Sequence, residues 1–172
     1  KITSIAKKYK LELIEDSAET LGAKCDDKYT GSFGTGCFSF FPTKNITTTE
    51  GGMLTTNNKA TFEKIKLIMA HGINKKLKKH FWHRESSLAG HNFRLPNHLA
   101  ALGISQLKRL NGFNKKRRII AKKYDIFLNS FNGFFEVQKI SKNLSHSYQM
   151  YTFLIDSKYR NQLLYYLRSK NI

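Results

Sequence analysis

Lys44 is the residue of this sequence best placed to act as a nucleophile. It follows the apolar stretch 37–41 (CFSFF) and Pro42, and it precedes a threonine run, Thr47, Thr48 and Thr49, that ends in Glu50, Gly51 and Gly52. Proline, threonine and phenylalanine neighbours partly strip water from an amine, and a desolvated amine is the better nucleophile toward a carbonyl. Asp16 ends the apolar run LELIED (11–16). A carboxylate at the C-terminal end of a buried strand lies where open α/β sheets bind ligands. By themselves both residues have plainer readings, Asp16 as a turn former and Lys44 as one surface lysine among many. A third stretch, LAGHNFRLPN (88–97), sets Asn92 and Arg94 in a polar segment just before an amphipathic helix. His80, His83, His91 and His98 fit no zinc spacing and have no cysteine near them, so no metal site is expected. The stretch KKHFWHR (78–84) has the aromatic and basic residues that stack on and neutralise a nucleic acid. The glycines of GSFGTG (31–36) lack the Gly-Lys-Ser/Thr ending of a triphosphate-binding loop.

Positioning these groups calls for an α/β arrangement. The first nine residues put Ile2, Ile5, Ala6 and Tyr9 on one helical face. LELIED and TLGAKC (20–25) read as strands, and DDKYTGSFGTG (26–36) reads as a glycine-punctuated loop. CFSFF and GMLTTN (52–57) are further strands, and Asn57 or Asn58 can cap a helix lined by Phe62, Ile65, Ile68 and Met69. Residues 72–96 are irregular over a length that accompanies a site or an interface. Two helices are expected next, one lined by Leu99, Leu102, Gly103, Gln106, Leu107 and Leu110, the other by Ile120, Tyr124, Phe127, Leu128 and Phe131. A strand over 148–155 and a helix after Asp156, with Tyr159, Leu163 and Leu167 inward, close the chain. This order is α/β with a small appended element. The chain opens in a helix feeding a strand, as a piece of a longer protein would.

At 172 residues, 40% apolar and 13% aromatic, the chain can build one globular core. No apolar run approaches the ~18 residues of a membrane span, and Lys1 leads into an amphipathic segment rather than a secretory signal. Cys25 and Cys37 lack CxxC spacing and read as reduced core thiols of a cytosolic protein. The net charge of +18 suggests an acidic partner. The lysines, however, are scattered as pairs (Lys7/Lys8, Lys75/Lys76, Lys78/Lys79, Lys115/Lys116, Lys122/Lys123), and no recognised nucleic-acid module accompanies them. A solvated surface is the expectation.

Taken together, IEDSAE, CFSFFPTKNITTTEGG and LAGHNFRLPN resemble the DegT/StrS family of sugar aminotransferases. The likeness runs from the opening helix to HSYQMYTFLID and is most specific at FSFFPTKNIT-x-x-EGGM. It implies an α/β fold of the aspartate-aminotransferase type (type I). Residues 1–131 would belong to the large cofactor-binding domain, incomplete at its N-terminus and ending in interdomain helices. Residues 132–172 would begin the small C-terminal domain. The implied cofactor is pyridoxal 5'-phosphate, with Lys44 as its Schiff-base lysine, five residues after a phosphate-contacting Ser39. Asp16 would pair with the pyridine nitrogen and make the ring an electron sink. Ala18 would lie against the ring face, Glu19 would reach the ring hydroxyl, and Asn92 would cross a dimer interface to the partner's phosphate. Arg94 would hold a donor carboxylate or order its loop, and His71 is a second substrate-side candidate. A sister group that removes a sugar hydroxyl carries histidine at position 44, so Lys44 favours transamination. The implied reaction moves an amino group, from glutamate, to a nucleotide-linked keto sugar of the 4-keto-6-deoxy kind, for surface-glycan biosynthesis, in a cytoplasmic homodimer with a shared site. Some positions depart from the family pattern: Thr49 stands where glycine is common, His91 replaces a tyrosine, and the loop GSFGTGC is one residue short. The family's N-terminal part, with its phosphate-cradling turn, is absent. The alternatives are a non-catalytic remnant of such an enzyme and a basic nucleic-acid-binding module.

Overall fold

The computed structural model describes residues 1–74 and 80–172, so the pairs Lys75/Lys76 and Lys78/Lys79 lie outside the described residues. The element order is α1 (Ile2–Lys8), β1 (Ile14–Asp16), β2 (Lys24–Cys25), β3 (Lys28–Tyr29), β4 (Thr35–Ser39), β5 (Gly52–Thr55), α2 (Lys59–Ile68), α3 (Asn97–Asn129), β6 (Phe135–Val137), β7 (Leu144–Ser145), β8 (Phe153–Ile155) and α4 (Ser157–Ser169). β1 runs parallel to β4, with Asp16 opposite Cys37, and β5 pairs antiparallel with the other edge of β4. β2 sits between β3 and β7, and β6 pairs with β8.

Local chemistry explains these elements. In β1 the side chains alternate, so Glu15 and Asp16 leave opposite faces. Glu15 accepts three backbone N–H bonds, from Gly31 at 2.8 Å, Phe33 at 2.7 Å and Gly34 at 2.8 Å, which wraps the glycine loop around one carboxylate. Gly31 is required there: its φ is +79°, and a Cβ would stand 2.3 Å from Phe38 Cζ. Of the two candidate caps, Asn58 starts α2, its Oδ1 accepting the Thr61 amide at 3.1 Å. Asp156 starts α4 in the same manner through the Lys158 amide at 3.0 Å. The core is Phe40, Ile46 and Leu110, with Leu21, Phe38 and Phe113 packed against it.

The structure differs from the expected elements in several places. The two helices expected over 99–131 are one helix of 33 residues, α3. Its buried positions are Leu110, Asn114, Ala121 and Leu128, so a polar residue interrupts the apolar stripe while the helix continues. The segment between, rich in lysine and arginine, consists of good helix formers. TLGAKC contracts to β2 because Gly22, at φ +79°, turns the chain. The strand expected over 148–155 contracts to β8, since residues 148 and 149 instead lend their carbonyls to Arg117 Nη1 at 3.1 Å each. Cys25 and Cys37 are unpaired and half-buried rather than core residues. The exposed side chains Ile2, Ile5 and Tyr9 show that the apolar face of α1 is uncovered. No described helix is long and apolar enough to cross a membrane.

Candidate active site

Parallel pairing brings the C-terminal ends of β1 and β4 side by side. Ser39 lies two residues beyond Cys37, the partner of Asp16. The side chains of Asp16 and Ser39 therefore leave the same sheet face, about 7 Å apart along the strands. Asp16 is exposed, and its Oδ1 accepts the Ala18 amide at 3.2 Å. The buried Ser17 donates its amide to Cys37 O at 2.8 Å, which carries Ala18 and Glu19 to the strand ends. There Glu19 Oε1 meets Lys44 Nζ at 3.0 Å, with the lysine side chain only 16% exposed and the glutamate 48%. An ion pair with one half-solvated member contributes on the order of 1 kcal/mol or less. Its consequence is positional: the amine is more enclosed than a surface loop lysine and is held next to the Asp16 strand end.

The turn that carries Lys44 is closed by its own backbone. Lys44 N–H donates to Phe41 O at 3.0 Å, Thr48 N–H to Phe40 O at 3.0 Å, and Phe40 N–H to Gly51 O at 2.9 Å. Thr47 Oγ1 donates to the same Phe40 carbonyl at 2.9 Å. Thr48 is wholly buried, and α3 passes over it at Gly103, where a Cβ would stand 3.0 Å from Thr48 Cγ2. Both glycines of the EGG motif serve close approach: a Cβ on Gly51 would meet Leu95 Cδ1 at 2.7 Å, and one on Gly52 would meet Phe38 O at 2.5 Å. Thr49, with φ +68°, occupies the left-handed conformation that glycine adopts without strain.

The remaining sequence candidates lie elsewhere. Asn92 is exposed, bridges Ala70, and accepts Arg94 Nε at 3.1 Å on its Oδ1. His71 is exposed at φ +62°; its amide donates to His91 O at 3.0 Å, and its carbonyl accepts Ser86 Oγ at 2.9 Å. Among the described residues, no hydrogen bond or ion pair joins these three to Lys44. Sequence reasoning missed Asn45, Asn114, Ser147 and Gln149, which lie beneath and beside the Lys44 turn. Gln149 Nε2 donates to Thr43 O at 3.1 Å, and its Oε1 is a buried acceptor with no partner among the described residues. The one available signal was Asn114, a polar residue set into an apolar helical stripe.

The fold is that of pyridoxal-phosphate-dependent sugar aminotransferases. The chain resembles Helicobacter pylori PseC, an aminotransferase involved in the biosynthesis of pseudoaminic acid, with a TM-score of 0.89 and 34% identity over 98% of this chain and 46% of that one. It also resembles the aminotransferase TlmJ of Streptoalloteichus hindustanus, with a TM-score of 0.91 and 25% identity over 98% of this chain and 45% of that one. More narrowly, the chain belongs to the DegT/DnrJ/EryC1/StrS aminotransferase family, whose sequence pattern matches residues 1–172. Among curated relatives, it is 36% identical to a GDP-perosamine synthase of Escherichia coli O157:H7, covering 99% of this chain and 45% of the relative. It is 39% identical to a UDP-4-amino-4,6-dideoxy-N-acetyl-beta-L-altrosamine transaminase of Campylobacter jejuni, covering 90% of this chain and 40% of the relative. The chain thus spans less than half the length of these relatives.

Proposed function

We propose that this chain supplies the lysine-bearing half of a cytoplasmic, pyridoxal-phosphate-dependent aminotransferase. Its substrates are a nucleotide-linked keto sugar, of the 4-keto-6-deoxy kind, and an amino-acid donor such as glutamate, and its product serves glycan biosynthesis. The observation that carries this reading is the enclosed Lys44 amine, 3.0 Å from Glu19 at the joined ends of β1 and β4. The donor set suits the cofactor: the Lys44 amine meets the Glu19 carboxylate, and the Asp16 carboxylate and the Ser39 hydroxyl leave one sheet face where the parallel strands end. The names of the curated relatives support the choice of substrate class.

When bound, pyridoxal phosphate supplies an electron sink for the bond pair released as the donor loses its Cα proton. This chain's residues do the rest. Lys44 Nζ would be the amine that condenses with the cofactor aldehyde, with loss of water, and once displaced by the donor amine it would take up and return the proton. Asp16 would face the ring nitrogen and keep a negative charge beside it. The small Ala18 would leave room for the ring face, and Ser39 would donate its hydroxyl to the phosphate. Glu19 holds the Lys44 amine in place and would accept a hydrogen bond from the ring hydroxyl. Arg94 and His71 take the substrate side. In a two-fold homodimer, Asn92 would serve the partner's phosphate, reciprocally as isologous symmetry requires.

Added pyridoxal phosphate should give a near-visible absorption band, and borohydride should then fix the cofactor to Lys44. A Lys44→Ala protein that keeps the band and still turns over the sugar would refute the reading. The shared site has its own test. Mixing Lys44→Ala with Asn92→Ala subunits places both lesions in one site and none in the other, so activity should partly return. Heterodimers that form without recovery place Asn92 in its own subunit's site.

A further inference from the structure

Three polar side chains are sealed beneath the Lys44 turn: Asn45 at 5% exposure, Asn114 at 2% and Ser147 at 1%. They come from the turn itself, from the middle of α3 and from the segment ahead of β8. Asn45 Nδ2 donates to Asn114 Oδ1 at 2.7 Å and to Ser147 O at 3.1 Å. Asn114 Nδ2 donates to Leu21 O at 3.0 Å, and Ser147 Oγ donates to Glu19 O at 3.2 Å. Gly22 keeps this route open, since a Cβ there would lie 2.6 Å from Asn114 Nδ2. On the same helical face Leu110, Ala121 and Leu128 are apolar, so filling the core does not by itself call for an asparagine at 114.

The network ends on the backbone of one member of the ion pair and on the residue next to the other. On one side it holds the backbone of residues 19 and 21, and Glu19 carries the carboxylate. On the other it holds residue 45, directly after Lys44. Gln149 braces the opposite flank through Thr43 O, and Arg117 fixes Gln149 by its carbonyl. Where its members are paired, a polar network of this kind sets geometry more firmly than an apolar contact does; Asn45 Oδ1 is a buried acceptor without a partner among the described residues. Resting on the reading of Lys44 as the cofactor-bonding amine, we infer that Asn114 is a positioning residue for Lys44. Acting through Asn45 and the Leu21 carbonyl, it fixes where the amine stands relative to Glu19 and the Asp16 strand end.

The test uses the full-length protein that carries this chain and two readouts. One is the rate of covalent capture of pyridoxal phosphate at Lys44, located by borohydride and peptide mass. The other is the Kd for pyridoxamine phosphate, which has no aldehyde for a lysine to attack. Asn114→Leu should slow capture by about tenfold or more, because misplacing a reacting group by ~1 Å costs up to about a hundredfold. Its affinity for pyridoxamine phosphate should remain near wild type. Asn45→Leu should behave alike, and the double variant should be no slower than the slower single, as residues acting through one another are not additive. Capture at the wild-type rate by Asn114→Leu overturns the inference. So do equal losses in both readouts, which mark a merely structural residue, and single effects that multiply in the double variant. If Asn114→Leu does not fold, Asn114→Ala is read by the same criteria. A wild-type protein that captures no pyridoxal phosphate refutes the assignment of Lys44 instead.

Discussion

Removing the Glu15 carboxylate should unfasten the loop that leads into β4. Its two oxygens accept the amides of Gly31, Phe33 and Gly34 at 2.7 to 2.8 Å, and Gly31 is buried while the other two are half-buried. Hydrogen bonds to a charged acceptor contribute about 1.5–3 kcal/mol each. Partial solvation of this loop argues for the low end, so losing all three in Glu15→Ala should cost about 4.5 kcal/mol. Glu15→Gln keeps one acceptor but loses the charge and turns an NH2 toward the loop amides, for a cost of about 2 kcal/mol. Urea unfolding followed by circular dichroism measures the totals. Hydrogen exchange at Gly31, Phe33 and Gly34 localises them, since those amides should lose protection first. Because Glu15 leaves the face opposite Asp16 and Ser39, the folded Gln variant should still capture pyridoxal phosphate. A Gln variant within about 0.5 kcal/mol of wild type, the range of an unremarkable surface change, with unaltered protection would refute the argument.

Asp16→Asn should weaken pyridoxal phosphate binding modestly and slow loss of the donor's α-proton severely, as read by the isotope exchange of that proton; equal rates would make Asp16 purely structural. Thr49→Gly should raise stability by about 0.5–1 kcal/mol in thermal melts, because the left-handed conformation costs a non-glycine residue about 1–2 kcal/mol and glycine's extra chain entropy returns only part of that; a lower melting temperature would show no strain at φ +68°. Burial pushes the His146 imidazole below its ordinary range, and its Nδ1 accepts the Tyr148 amide at 3.0 Å. The fold thus favours the neutral ring. That contribution is complete above about pH 6.5 and is lost as pH falls through the lowered value, so His146→Ala should flatten the acid slope of stability, and an unchanged slope counts against it. Tyr151 donates to Asp125 Oδ1 at 2.6 Å, and burial together with that carboxylate pushes its phenol up. Tyr151→Phe should cost about 1–2 kcal/mol in urea unfolding by leaving the carboxylate without its donor; an unchanged midpoint would show the bond contributes nothing.

The reactive end of the molecule was readable because its residues are neighbours in sequence. Lys44, Ser39 and the EGG turn lie within one short stretch, and Asp16 ends an apolar run that reads as a buried strand; the strand is there as β1, but it contracts to Ile14–Asp16, and Leu11 and Ile14 are exposed. α2 and α4 were readable from Asn58 and Asp156, whose side chains cap locally. What escaped depends on contacts between residues far apart in the chain. The pairing of β2 with β7 joins Lys24 to Ser145, and nothing in either short segment announces the other. Glu15 and Asp16 look alike as adjacent acids, and only the loop folded back on one of them gives the two different roles. The apolar positions read from the sequence stop at Leu110 and resume at Ile120, with the asparagine Asn114 between them, and so suggested two helices. The helix in fact runs through, because the asparagine is satisfied by Asn45 and Leu21 rather than by water.

That unbroken helix also limits how the gene can change length. Gly103 rests on Thr48, Leu110 enters the core, Asn114 grips the turn, Arg117 holds residues 148 and 149, and Asp125 meets Tyr151. All five lie in phase along a rod of 33 residues, about 50 Å long at ~1.5 Å per residue. A codon inserted between Gly103 and Asn114 would rotate everything beyond it by about 100° and swing Asn114 and Arg117 away from their partners. Two added turns would restore the angle but displace the partners by about 10 Å. The span from 103 to 125 is bound to diverge by substitution alone.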